Sequence, residues 1–190
     1  MKTLVITGPS AVGKTYLAGL LIQDYPLLFK QAKVYTTRIP RAGESGTDRI
    51  FVEKNVYFKM LNNNDFLVSG KFGGNYYGFN RESIFPTKNQ HLIVNAWPAI
   101  LDKFVAFDHT VLVGLQAKKS NLSLLQQRML SRGDTNEAIE ARLKLIVKDI
   151  RDLNNHSKTF DYKGKIFMID NNHAIKDKVV TWLKDELSLK

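Results

Sequence analysis

Residues 8–15 read GPSAVGKT and form a complete G-x-x-x-x-G-K-[ST] loop. An apolar run, Leu4-Val5-Ile6, precedes the loop and a helical pattern follows it, which is the context of a phosphate-binding loop. We expect backbone N–H groups and the helix N-terminus to face the phosphates of a nucleotide. Lys14 is expected to reach the terminal phosphates and Thr15 to offer its hydroxyl to Mg²⁺. The nucleotide-binding residues predicted from this motif are Gly8, Ser10, Ala11, Val12, Gly13, Lys14, Thr15 and Tyr16.

A second group of candidate phosphate-binding residues follows a predicted strand in the stretch TTRIPRAGE, residues 36–44. Arg38 and Arg41 lie three residues apart with Pro40 between them. A fixed pair of arginines suits a phosphate because guanidinium groups match its oxygens in geometry and charge. Further along, the stretch GNYYG at residues 74–78 supplies tyrosine hydroxyls. The sequence therefore predicts a second anion site.

Strand and helix patterns alternate along the chain, which predicts a three-layer α/β domain with a parallel sheet. Short β-like runs and glycine-rich turns at about 48–81, with a short helix among them, predict an inserted mixed lobe. The remaining predicted strands lie at 4–6, 33–37, 92–94, 111–113 and 166–169, and the remaining helices at about 15–24, 122–130, 137–153 and 174–187.

Composition narrows the function classes. The 190 residues include no cysteine, which excludes disulfides and thiolate metal sites and predicts a reducing, cytoplasmic location. A net charge of +10 favours anionic partners, but the cations are dispersed and no nucleic-acid module is visible, so nucleic-acid binding is not expected. No signal peptide or membrane span is expected. The histidines lack ligand spacing, so Mg²⁺ carried by a nucleotide is the metal expected. Trp97 and Trp182 are predicted to lie in the core.

Taken together and in order, the motifs GPSAVGKT, TTRIPRAGE, NYYG, QQRMLSRG and IEARL resemble the guanylate kinase family over nearly the whole chain. The resemblance implies a P-loop kinase core that binds ATP, an inserted lobe that binds the acceptor and a short helical lid. It implies one domain, with its core at 1–34, 82–125 and 155–190, its lobe at about 35–81 and its lid at about 126–154.

The resemblance also implies roles for individual residues. The residues that match those with which the family binds the acceptor phosphate are Arg38, Arg41 and Tyr77. Arg49 adds a cation beside them. The implied activity is Mg²⁺-dependent transfer of a phosphoryl group from ATP to the phosphate of a nucleoside monophosphate, a reaction that depends on positioning and charge neutralisation. The residues expected to stabilise the migrating group are Lys14, Arg128, Arg132 and Arg142.

The chain departs from the family where guanine is read. Val68 replaces the family's base-reading glutamate, and Arg49 replaces a tyrosine after Asp48. Guanine presents N–H donors, and burying them unpaired costs about 1–3 kcal/mol, so weak discrimination in favour of GMP is expected. Glu44, Glu53 and Asn75 stay open as substitute readers. The other guanine-reading positions carry Val34, Phe79, Val94 and Ala96.

Two alternatives remain open. Ribose 1,5-bisphosphate kinases also depart at these positions, and Leu92-Ile93-Val94-Asn95 is similar to a stretch they carry. Non-catalytic guanylate-kinase-like domains bind phosphopeptides, but they have usually lost the lysine of the glycine loop, which is present here as Lys14. A nucleoside monophosphate kinase is therefore the leading interpretation, and the identity of the acceptor stays open.

Overall fold

The computed structural model describes residues 1–40, 44, 46, 48–118, 121–131, 133–169 and 175–187. Its strands are β1 (Thr3–Thr7), β2 (Phe29–Gln31), β3 (Val34–Thr36), β4 (Arg49–Phe51), β5 (Val68–Phe72), β6 (Asn75–Phe79), β7 (His91–Asn95), β8 (Thr110–Ala117) and β9 (Gly164–Ile169). Its α-helices are α1 (Lys14–Asp24), α2 (Lys54–Asn62), α3 (Leu101–Val105), α4 (Leu122–Ser131), α5 (Asn136–Asn155), α6 (Ser157–Lys163) and α7 (Ile175–Glu186).

The core is a five-stranded parallel sheet in the order β2-β7-β1-β8-β9. Every residue of the central strand β1 is buried, as expected for a sheet covered on both faces. Side chains alternate across it, so Leu4 and Ile6 join the cluster that includes α1 and α7, whereas Val5 joins the cluster that includes α3 and α6. The predicted three-layer α/β class with a parallel sheet is confirmed.

A second sheet of four strands, in the order β4-β3-β6-β5, lies between the first two strands of the core and β7 in the chain. Its registers place residues in rows across the sheet. One row pairs Thr36 with Phe51 and with Tyr77, and Tyr77 in turn with Gly70. Helix α2 packs on this sheet through buried Tyr57, whose hydroxyl donates to the carbonyl of Tyr77 at 3.0 Å.

Helices α4 and α5 contact each other and lie at one edge of the P-loop, residues 8–15. The side chain of Thr135 caps α5 by accepting a hydrogen bond from the backbone N–H of Ala138 at 3.3 Å. Along α5, residues three and four apart share a face. The face that begins near Arg142 therefore continues to Leu145 and Asp149.

Sequence patterns missed β2 and did not show which sheet the strand at 33–37 joins. Strand β2 has three residues and includes the exposed Lys30, so it offers no readable periodicity. The strand predicted at 33–37 is β3, and it belongs to the second sheet. No helix among the described residues has the length and apolar character needed to cross a membrane.

Candidate functional site

A cavity of about 540 Å³ lies where the P-loop, the second sheet and the helices α4 and α5 meet. Its lining divides into two parts, called the donor end, made of the P-loop with one arginine each from α4 and α5, and the acceptor end, made of the second sheet and the end of β7. Predicted site residues that line the cavity are Ser10, Ala11, Gly13, Lys14, Thr15, Tyr16, Arg38, Arg49, Tyr77, Arg128 and Arg142.

Backbone geometry shapes the donor end. The φ angle of Gly8 is +141°, and a Cβ there would collide with the carbonyl oxygen of Leu115, so only glycine fits. Gly13 has a φ of +110° directly before α1. The first N–H groups of a helix lack intrahelical acceptors, so this helix start offers donors to phosphate oxygens.

Cations surround the P-loop. The ammonium group of Lys14 donates to the carbonyls of Gly8 and Pro9 at 2.7 and 2.8 Å. Arg128, on α4, reaches the loop and donates to the carbonyl of Ala11 at 3.3 Å. Arg142, on α5, lies 3.4 Å from a carboxylate oxygen of Asp134. The donor end thus carries three positive side chains around a loop suited to phosphate.

A cluster of four charged residues, Arg38, Glu44, Asp48 and Arg49, forms the charged part of the acceptor end. One amino group of Arg38 donates to both oxygens of Glu44 at 2.6 and 2.7 Å. Arg49 donates through Nη1 to Glu44 at 2.9 Å and to Asp48 at 2.7 Å. Its Nε and Nη2 have no partner among the described residues, and together they form a bidentate fork. Two carboxylates therefore orient Arg49 and leave that fork for a ligand.

Trp97 is buried in the hydrophobic core, as predicted, and it also forms part of the cavity wall. Its ring lies 5.3 Å from that of Tyr77 and 5.6 Å from that of Phe72, measured between centroids. It packs over Gly70, where a Cβ would lie only 2.8 Å from the indole. The sequence carried one signal of this contact, a glycine inside a strand, which often marks a close approach of another group.

One part of the acceptor end is apolar and is called the apolar end. Val68, the position at which the sequence resemblance predicts a base-reading residue, is 1% exposed and is absent from the cavity lining. Gln31 is the residue at the rim of the apolar end that sequence reasoning missed, since it ends the unpredicted strand β2. The apolar end is lined by Ala32, Val34, Phe79, Val94 and Ala96.

Asp149 lies buried on α5 beyond Leu145, with 3% of its surface exposed. Its Oδ2 atom has no hydrogen-bond partner among the described residues. Burial raises the pKa of the Asp149 carboxyl to about 7, although the positive charge of Lys14 opposes the shift. This carboxyl therefore titrates near neutrality beneath the donor end.

Two predicted site residues that the structure describes, Gly8 and Val12, do not line the cavity. Both residues are buried, Val12 within the hydrophobic core. Arg41 and Arg132 lie outside the described residues. The roles of all these residues stay proposals.

The described residues contain no group of three or more His, Cys, Asp or Glu side chains that could hold a metal ion. A hydroxyl at the start of α1, that of Thr15, is exposed and lines the cavity. Mg²⁺ binds proteins through few side chains and takes its other ligands from nucleotide phosphates and water. The donor end therefore fits a magnesium ion brought in by the nucleotide.

Comparison with known proteins identifies a family. The family model "Guanylate kinase" matches residues 1–173. Guanylate kinase from Trichormus variabilis is 32% identical over 153 residues, which are 79% of this chain and 76% of that protein. Guanylate kinase from Thiobacillus denitrificans is 31% identical over 180 residues, 92% and 82% of the two chains. The crystal structure of guanylate kinase from Anaplasma phagocytophilum shares the fold, with a TM-score of 0.68 at 20% identity, over 97% of this chain and 85% of that one.

Proposed function

This chain belongs to the guanylate kinase family, and we propose that its cavity holds ATP at the donor end and the phosphate of the acceptor at the charged cluster. The chain is an ATP-dependent phosphotransferase whose acceptor is the phosphate of a nucleoside monophosphate. One observation carries the proposed assignment of residues: two separate phosphate-binding arrangements, the P-loop with Lys14 and the cluster with Arg38 and Arg49, line the same cavity.

At the donor end, we assign the P-loop to the β- and γ-phosphates. The ammonium group of Lys14 would exchange the carbonyls of Gly8 and Pro9 for phosphate oxygens. Arg128 and Arg142 would neutralise charge on the migrating phosphoryl group, because phosphoryl transfer is catalysed mainly by positioning and electrostatics. Mg²⁺, when bound with ATP and the hydroxyl of Thr15, supplies further neutralisation of the phosphates.

At the acceptor end, the fork of Arg49 and the edge of Arg38 would bind the phosphate that is attacked. An attacking oxygen that already belongs to an anionic phosphate needs no general base. Asp48 is a carboxylate among the described lining residues, but it accepts a hydrogen bond from Arg49 at 2.7 Å, so we assign it no role as a base.

The body of the acceptor would extend from this cluster into the apolar end. The walls of the cavity include the flat rings of Phe79 and Trp97, which suit a planar base better than a second phosphate. This supports a nucleoside monophosphate over a sugar bisphosphate. The relatives are named guanylate kinases, so we propose GMP as one acceptor and test it first.

The direct test is an ADP-release assay with MgATP and a panel of GMP, dGMP, AMP, CMP, UMP, dTMP and ribose 1,5-bisphosphate. We expect a nucleoside diphosphate product, identified by ³¹P NMR, and little ADP release without an acceptor. A folded protein that binds ATP but releases ADP with none of the nucleoside monophosphates would contradict the proposal. Turnover confined to ribose 1,5-bisphosphate would replace it with a sugar-phosphate kinase.

A further inference from the structure

The apolar end needs a polar group if it is to recognise a base, and its lining offers few. The side chains of its five lining residues carry no hydrogen-bonding atom. Every nucleobase has ring-edge N–H donors or acceptors, and burying a donor without a partner is unfavourable. A base that enters this end is therefore recognised from the rim.

Gln31 supplies a polar group at that rim, and its orientation is fixed. Its amide nitrogen donates to the carbonyl of Ile93 at 3.1 Å and to that of Ala32 at 3.3 Å. Turning the amide over would place its oxygen against these two carbonyl oxygens, which repel it. The amide nitrogen therefore already donates to two carbonyls. The amide oxygen has no partner among the described residues and remains a hydrogen-bond acceptor.

The other candidate readers are less suited. Glu44 is engaged by Arg38 and Arg49, and Glu53 is exposed outside the cavity lining. Both amide atoms of Asn95 are inaccessible, although they lack partners in the described part of the chain. Asn75 lines the cavity, but it is the first residue of β6, whereas Phe79, which lines the apolar end, is the last. Asn75 is therefore the rival that an experiment must separate from Gln31.

We propose that the side-chain oxygen of Gln31 accepts a hydrogen bond from an N–H group on the base of the acceptor nucleotide. This inference rests on the proposed function, since it assumes a nucleoside monophosphate whose phosphate binds at Arg38 and Arg49. One acceptor oxygen satisfies a base with a single exocyclic amine, such as adenine. Guanine brings a ring N–H as well as its amine, so this oxygen gives GMP no advantage over AMP.

The test compares AMP with purine riboside 5′-monophosphate, which has the same rings without the amine. For the wild-type enzyme we expect kcat/KM to favour AMP by about tenfold or more, the value of one hydrogen bond of about 1.4 kcal/mol. Gln31→Met keeps the length of the side chain and removes its acceptor. It should abolish the preference while leaving purine riboside 5′-monophosphate within about twofold of the wild-type value.

Asn75→Ala is the matched control, because it removes an amide from the other side of the cavity. It should keep the preference for AMP. Melting temperature and the KM for ATP show whether either variant has lost its fold or its donor end. An equal loss for both acceptors in Gln31→Met would mean a structural role and overturn the proposal.

Three other results also overturn it. They are a wild-type ratio near one, a preference that Asn75→Ala removes, and a wild-type enzyme that uses GMP but not AMP. In each of these cases the phosphotransferase itself remains active, so the proposed function survives. ADP release with none of the nucleoside monophosphates, from a folded protein that binds ATP, would instead overturn both.

Discussion

The donor and acceptor ends of the cavity are built by different means. The donor end is local: eight consecutive residues, 8–15, form the loop, and backbone conformation at Gly8 and Gly13 shapes it. The acceptor end is assembled from strands far apart in the chain, and its chemistry depends on single side chains such as Arg49 and Gln31. A single motif therefore predicts the reaction class, whereas the choice of acceptor depends on a few side chains.

The largest effect is expected at the donor end. Lys14→Met removes a positive charge that we assign to the migrating phosphoryl group, so kcat should fall by roughly 10²-fold or more in a folded protein. Steady-state kinetics with saturating GMP measure it. Lys178→Met, a change at an exposed position of α7, is the control and should keep wild-type turnover. Near-normal turnover of Lys14→Met would contradict the donor-end assignment.

Arg49→Ala tests the acceptor end in the same assay. Loss of a charged hydrogen-bonding fork, worth about 1.5–3 kcal/mol, should raise the KM for the acceptor by roughly 10- to 100-fold and leave the KM for ATP nearly unchanged. Arg151→Ala, at a side chain 70% exposed, controls for net charge. If the KM for ATP rises and that for the acceptor does not, Arg49 belongs to the donor end and the division of the cavity is wrong.

The buried carboxyl of Asp149 predicts how the stability of the protein depends on pH. Its raised pKa of about 7 means that the folded state holds a proton that the unfolded state releases near pH 4. Stability from this group is therefore complete at low pH and is lost as pH rises towards 7. The carboxyl faces the charges of Lys14, Lys148 and Asp152.

Asp149→Asn removes this titration. Its free energy of unfolding relative to wild type should increase by about 2 kcal/mol between pH 5 and pH 7 and change little above pH 8. Urea unfolding at each pH measures the difference. A difference that stays constant across this range would show that Asp149 is ionised in the folded protein throughout.

The smallest effect is expected at Gly70. Gly70→Ala brings a methyl group against Trp97, and this crowding should cost about 1 kcal/mol of stability and raise the KM for the acceptor a few-fold. Gly19→Ala, in helix α1 with open space around it, should instead stabilise by about 0.5–1 kcal/mol. An unchanged acceptor KM in Gly70→Ala would mean that the position of Trp97 does not shape the acceptor end.

Local sequence patterns predicted much of the fold but little of the acceptor end. Strand β1, the P-loop and helix α1 were predictable because their residues are consecutive and apolar positions recur at strand and helix spacing. Strand β2 was not predictable, and Gln31 was missed with it. The place of Trp97 in the cavity wall follows from its packing on β5, a tertiary contact whose local signal in the sequence is the glycine at position 70.

The ratio of kcat/KM for GMP to that for AMP shows whether a family-like donor end works here without a guanine reader. An apolar pocket discriminates between such bases by roughly 200-fold at most, whereas a site built to hydrogen-bond one base rejects another by about 10⁴-fold or more. With Val68 in place of a carboxylate, we expect both nucleotides to be phosphorylated and the ratio to lie below about 200. A preference for GMP above about 10⁴ would contradict the account.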